Sequence, residues 1–382
     1  MTNDPRSSTD DPTAPPPGTG ERPVPFGSND VRLSPREWLV VVLLVWLVPA
    51  VWGWIEPLPP GPDGRIPYAL GEDYWLYGRW CRAMAASGKT LVLGDSVVWG
   101  HYVEGGRTLS AHLNLVSGGE GFANLGVDGI HPAAMAGLVE HYAGAIRRRS
   151  VILHCNPLWL SSPTHDLRGD KEFAFNHPRL VPQFSPWIGC YKESLEGRLG
   201  IVLQRNVPLL TWANHLRIAW FGGSDLAAWT VDHPYENPLR QVTLELPSPG
   251  PSPEPDPKPD PKPWTQRDIK PYGPPWVDLE KSLQWQSIRQ SIAILRSRGN
   301  RVFVLVGPFN EHLLKPASLA AYRKLKAEIG RWLAEEQIPH CVPEVLPSDL
   351  YSDASHPLGE GYALWARQLL ANESFARFRA GD

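Results

Sequence analysis

Short, wholly apolar runs alternate with longer amphipathic ones along most of this chain. Thr90–Leu93, Ser150–Cys155 (SVILHC) and Arg301–Val306 (RVFVLV) have strand length and are rich in aliphatic and β-branched residues; Phe122–Leu125 is a weaker run of the same kind. Apolar positions at helical spacing predict helices over Thr108–Val116, Pro132–Arg148, Leu279–Arg298 (closed by Gly299), Ser318–Glu336 and Gly359–Arg379. Continuous apolar strands that alternate with helices belong to a parallel sheet covered on both faces. The expected fold is therefore α/β, a three-layer sandwich around a central, mostly parallel sheet. No internal repeat is visible.

Three stretches break the rhythm. Residues 157–278 hold many Trp, Pro and His residues and few clear periods, and read as a long insertion on the sheet rather than a second core domain. Inside it, PSPGPSPEPDPKPDPKP (Pro247–Pro263) carries proline at every second position, so it lacks backbone donors and predicts an extended, Pro-rich loop over 247–275. Residues 1–35 are polar, Pro-rich and poor in large apolar side chains, which predicts a disordered tail.

The third stretch is WLVVVLLVWLVPAVWGWI, residues 38–55, with no charge. As a helix it spans about 27 Å, close to the roughly 30 Å of a bilayer's hydrocarbon core. Trp38, Trp52 and Trp54 suit the two interfaces. A buried core helix normally keeps some polar residues, and a cleaved signal peptide has a short basic start, unlike the long segment that precedes this one. One transmembrane helix over 36–56 is expected, with residues 57–382 as the body. Arg32 and Arg36 precede the span, and Glu56, Asp63, Glu72 and Asp73 follow it. The positive-inside tendency thus predicts a single-pass cell-membrane protein with its N-terminus cytoplasmic and its C-terminal domain extracytoplasmic.

The 382 residues suffice for one large domain or two ordinary ones, and a net charge of −3 gives no reason to expect a nucleic-acid partner. Outside the membrane Cys81, Cys155, Cys190 and Cys341 can form disulfides; full pairing allows three connectivities, and free buried thiols remain an equal alternative. No Cys-x-x-Cys or Cys/His cluster has metal spacing, so neither a metal nor a cofactor is expected. Nothing indicates the oligomeric state.

Candidate chemistry begins in LVLGDSVVWG, residues 91–100, where Ser96 follows the first strand. A serine nucleophile needs a base, and the base needs an orienting carboxylate. Asp353 and His356 stand three apart just before the last helix, a spacing that also suits a helix cap. Gly126 (in NLGVDG) and Asn156 follow the second and third strands. Each can supply a donor to an oxyanion, and each alone also reads as ordinary turn or loop chemistry. His101, His131 and His154 lie near these blocks without a partner pattern and read as structural or pocket-lining. Asn310 and His312, in GPFNEHLL, follow the strongest strand and are candidates to line the pocket. Trp159, Trp187, Trp212, Trp220 and Trp229 of the insertion can stack on sugar rings, with core packing as the simpler reading.

Taken in order, Gly-Asp-Ser after strand one, glycine after strand two, asparagine after strand three and Asp-x-x-His before the last helix resemble the SGNH/GDSL hydrolase superfamily. The likeness covers residues 88–156 and 299–372. One block departs: the family's usual Gly-x-Asn-Asp reads His154-Cys155-Asn156-Pro157, which suggests a divergent, membrane-anchored member. The resemblance implies a flavodoxin-like SGNH fold and a serine esterase that cleaves an O-acyl ester, such as acetyl, from a cell-surface carbohydrate or lipid. Ser96 would be the nucleophile, His356 the base and Asp353 its orienter. The Ser96 and Gly126 N–H groups and the Asn156 amide would form the oxyanion hole. Asp95 would be a structural companion to the serine. Two alternatives use the same residues: an O-acyltransferase acting on a cell-surface glycan, and a non-catalytic glycan- or partner-binding module.

Overall fold

The computed structural model describes residues 33–58, 63–246 and 262–381. The chain divides into two compact units, Met1–Leu44 and Val45–Asp382. Nearly all of the tail expected to be disordered, and residues 247–261 of the proline tract, lie outside the described residues. Helix α1 (Pro35–Ile55) begins with a reciprocal cap: the Ser34 N–H donates to Glu37 at 2.7 Å, and the Glu37 N–H to the Ser34 hydroxyl at 3.4 Å. Its mean hydropathy is 2.3 over its most apolar window, of which 6% is buried. By length and composition it can cross a membrane.

The second unit is α/β. Strands β1 (Thr90–Gly94), β2 (Phe122–Gly126), β3 (Ser150–Cys155), β4 (Arg301–Val306) and β5 (His340–Cys341) form one parallel sheet in the order β2-β1-β3-β4-β5. The register sets Gly94 beside Gly126, and Leu93 between Leu125 and Leu153. All strands therefore end on one edge, where the loops that carry the candidate residues emerge.

Successive strand residues point to opposite faces, and two cores result. Leu91, Leu93, Leu125, Leu153 and Val304 pack with α2 (Tyr74–Ala86), α5 (Pro132–His141), α9 (Leu283–Ser297) and α10 (Pro316–Glu335). Val92, Ile152, Phe303 and Leu305 pack on the other side, with α3 (Ser96–Trp99), α4 (Leu109–Ser117), α11 (Gly359–Ala371) and α12 (Glu373–Ala380). Trp365, Tyr362, Phe303 and Phe375 are fully buried there, each contributing on the order of 2–3 kcal/mol of transfer free energy.

The elements differ from the sequence pattern in instructive places. The expected helix over 132–148 stops at His141, yet Ala143 and Ile146 remain fully buried in the turns that follow, so the apolar spacing outlasts the helix. The single helix expected over 359–379 breaks at Asn372, whose side chain accepts the Phe375 N–H and caps α12. Among its described residues the insertion contains three α-helices that were not expected: α6 (Leu195–Asn206), α7 (Pro208–Phe221) and α8 (Leu226–Asp232). Its first limb supplies Leu160, Leu167, Leu180, Val181 and Ile188 to the core of the first face. The returning limb of the Pro-rich loop is tied down: Trp264 is buried and its backbone N–H donates to the Tyr351 carbonyl at 2.9 Å. All four cysteines are free and buried.

Candidate functional site

Strand β1 stops at Gly94, and Asp95 turns the chain by accepting the Val97 N–H at 3.1 Å, which makes Ser96 the first residue of α3. Two glycines let this turn seat. A Cβ on Gly94 would lie 2.3 Å from Val98 Cγ2 and 2.7 Å from His154 Cβ; one on Gly126 would lie 2.4 Å from the Trp99 backbone nitrogen. The short helix thus rests directly on the ends of β1 and β2.

Asp353 and His356 come from the loop between Tyr351 and α11. The Asp353 carboxylate accepts the N–H groups of Ser355 (2.9 Å) and His356 (3.0 Å), which folds the loop tightly and brings the His356 Nδ1 to 2.8 Å from Oδ2. The opposite ring nitrogen, Nε2, is 2.8 Å from the Ser96 hydroxyl. The result is a continuous Ser96–His356–Asp353 relay. The partners assign the tautomer: Nδ1–H donates to the carboxylate, and Nε2 accepts from the serine. Asn310 supports this loop from beneath, its backbone N–H donating to the Ala354 carbonyl at 2.9 Å and its amide to the Asp353 carbonyl at 3.1 Å. The Tyr102 ring stands edge-on to the imidazole with ring centroids 5.2 Å apart, and the Arg267 guanidinium covers Tyr102.

The electrostatics follow the geometry. Burial raises the Asp353 carboxyl, but the His356 ring and the two backbone N–H donors outweigh it and hold the group well below the usual carboxylate range. Burial disfavours a charged His356, but Asp353, helped by Asp95 and Asp128, outweighs it and raises the imidazole above its ordinary value. Ser96 and His356 are each 9% exposed.

The three candidate oxyanion donors differ. The Ser96 N–H opens a helix and has no intrahelical acceptor. The Asn156 amide donates one hydrogen to Asp95 at 2.7 Å and retains a second. The Gly126 N–H is already committed to the Asn124 side-chain oxygen at 2.9 Å, while the Asn124 amide donates to the Val98 carbonyl. An incoming oxygen would have to share the Gly126 donor or displace Asn124.

Asp95 is more than a cap. Its Oδ2 accepts from Asn156 and, at 2.9 Å, from the indole of Trp159 in the insertion; its Oδ1 lies 3.2 Å from His154 Nδ1, without the alignment of a hydrogen bond. Burial alone would raise the Asp95 carboxyl, but His154, Asn156 and Trp159 bring it down to about 2. Nothing in the sequence linked Asp95 to Trp159, which is 64 residues away. A second His–Asp pair also went unseen: His101 Nδ1 lies 2.5 Å from Asp128, and the His101 ring is 5.5 Å from that of His356. Asp128 lies just beyond β2 and His101 just beyond α3, so their closeness to the two strand-end motifs was the available signal.

The other candidates lie as follows. Asn310 is fully buried behind the Asp353 loop. His312 is exposed, with its Nε2 3.1 Å from the Leu346 carbonyl. His131 caps α5, and burial pushes its imidazole down to about 3. Trp212 and Trp220 pack on Trp52, Trp229 stacks on His233, and Trp187 is exposed. Among the described residues no group of three or more His, Cys, Asp or Glu is placed to hold a metal ion. No protein-family model and no curated protein matches the chain.

Proposed function

We propose that the protein is a membrane-anchored serine esterase of the SGNH/GDSL type that cleaves a short O-acyl ester at a cell surface. The observation that carries this reading is the Ser96–His356–Asp353 relay, assembled at the carboxyl edge of a parallel sheet with a helix N–H and the Asn156 amide nearby. A hydroxyl hydrogen-bonded to a carboxylate-oriented imidazole is an activated nucleophile. The Ser96 oxygen attacks the acyl carbonyl as its proton passes to His356 Nε2. The tetrahedral intermediate then expels the alcohol, which takes that proton. Water repeats the cycle in reverse: it loses a proton to His356, attacks the acyl carbon, and the Ser96 oxygen leaves reprotonated. The Ser96 N–H and the Asn156 amide oppose the developing oxyanion, a donor of this kind contributing about 3 kcal/mol. The near-complete burial of Ser96 and His356 favours a small acyl group.

Helix α1 supports the anchor, and the charges that flank it support a cytoplasmic N-terminus with the α/β unit outside. The test is ester turnover by the full chain in detergent or bilayer discs, with p-nitrophenyl acetate and O-acetylated sugars. Turnover that disappears in Ser96→Ala, with circular dichroism unchanged, is the expected result; equal turnover by that variant overturns the proposal.

A further inference from the structure

We propose that helices α6–α8 of the insertion lie on the lipid bilayer surface at the foot of α1, so that the protein meets the membrane through a broad apolar face as well as a span. This inference rests on the membrane-anchor reading of α1. Among the described residues outside α1, large apolar side chains exposed to solvent are concentrated in residues 173–244; the others are Tyr68, Leu115 and Val116.

Helix α6 is built inside out. Leu195, Leu199 and Leu203 recur every fourth residue and so share one face, and they are 66%, 49% and 57% exposed. Arg198, in the same helix, is 3% exposed and donates to the carbonyls of Gln183, Tyr191 and Glu193. Arg205 likewise donates to the carbonyls of Arg179 and Val181. A helix facing water turns its arginines outward and its leucines inward. The same exposure continues through Val231, Tyr235 and Leu239. Exposed large apolar side chains gathered in one segment, rather than scattered singly, mark an interaction surface.

Its continuity with α1 identifies the partner. The Trp52 ring, near the end of α1, meets Trp212 and Trp220 of α7 with centroids at 5.5 and 6.4 Å. One turn later Glu56 joins a fully enclosed cluster: its carboxylate lies 3.0 Å from His215 Nε2 of α7 and 2.7 Å from the Arg79 guanidinium of α2, and His215 Nδ1 is 2.5 Å from Asp73. This joint fixes the insertion at the point where the apolar helix ends. Beside it runs a groove of about 710 Å³ lined by Trp46, half-way along α1, and by Trp54, Trp75, Arg79 and Arg82 around its end; the last four are a Trp/Arg combination suited to the headgroup region.

The experiment uses the full chain in phosphatidylcholine–phosphatidylglycerol vesicles. All four native cysteines are buried, so a thiol-reactive fluorophore reports on an introduced cysteine. Probes at Leu199→Cys and Val231→Cys should be quenched by spin-labelled lipids several-fold more strongly than a probe at Leu115→Cys, with Val42→Cys in α1 as the embedded reference. If Val42→Cys is quenched while Leu199→Cys and Val231→Cys match Leu115→Cys, the inference is wrong and the anchor stands. If Val42→Cys is not quenched either, the anchor reading itself fails and takes the inference with it. Cross-linking of two copies through Leu199→Cys without lipid quenching would also overturn the inference, assigning the face to a second copy.

Discussion

Ser96 and His356 stand 260 positions apart, and their side chains meet at 2.8 Å. The meeting depends on two local devices: the Asp95 cap that starts α3 at the serine, and the Asp353 carboxylate that folds the histidine's own loop by accepting two of its N–H groups.

Activity should follow the charge of His356. Only the neutral ring can take the serine proton. Burial lowers the pKa of this ring, but Asp353 prevails and raises it above the ordinary value of about 6.5. The proposed esterase therefore gains kcat/KM as pH rises through a midpoint above about 6.5, not below it. A pH–rate profile checks this. The same shift favours the folded state: the contribution is complete below the unfolded pKa and is lost as pH rises through the folded one.

Asp353→Asn should lower kcat by up to about 10⁴-fold, because an amide facing Nδ1 no longer fixes the tautomer that leaves Nε2 as acceptor. It should also move the pH midpoint downward, since the carboxylate is the group that raises His356. Steady-state kinetics across pH separates the two effects; an unmoved midpoint would show that Asp353 does not govern the imidazole.

Gly126→Ala should cost about 1–3 kcal/mol of stability, in the range of overpacked sites. The obstacle is the Trp99 backbone, 2.4 Å from the added carbon, and backbone cannot swing aside as a side-chain tip can. Gly144→Ala is the control, because nothing lies within 4 Å of its added carbon. Chemical denaturation of both variants measures the difference.

The cluster at the end of α1 should be a stability element. Burial alone would lower the His215 imidazole, but Asp73 and Glu56 raise it. Its contribution is therefore present below the unfolded histidine pKa and lost as pH rises through the folded value. His215→Gln leaves the buried Asp73 carboxylate without its ionic partner while Glu56 keeps Arg79, a loss of up to about 3–5 kcal/mol. Thermal unfolding across pH should show the wild type losing part of its advantage over the variant at high pH.

These elements were unequally legible in the sequence. Strands β3 and β4 coincide with their apolar runs because aliphatic and aromatic residues fill VIL and VFVLV, with His154 the one polar residue inside either strand. Strand β5 is two residues long and carries no periodic signal. Helices α6–α8 were masked by the many Trp, Pro and His residues around them, although Leu195, Leu199 and Leu203 recur at helical spacing in α6; what no sequence pattern shows is that this leucine face is the exposed one and that Arg198 is buried on carbonyls. The relay residues were readable because each closes a strand or precedes a helix. The Asp95–Trp159 bond was not, since it joins the strand edge to an insertion without period. The Gly126 N–H shows the limit of motif reading, because Asn124, two residues earlier, already accepts it.

The most direct test is covalent. The full chain in bilayer discs, treated with a fluorophosphonate probe and digested for mass spectrometry, should carry the adduct on Ser96, and His356→Ala should lose it. Absence of a Ser96 adduct in folded protein, or labelling undiminished in His356→Ala, would contradict the claim that this serine is activated by that histidine.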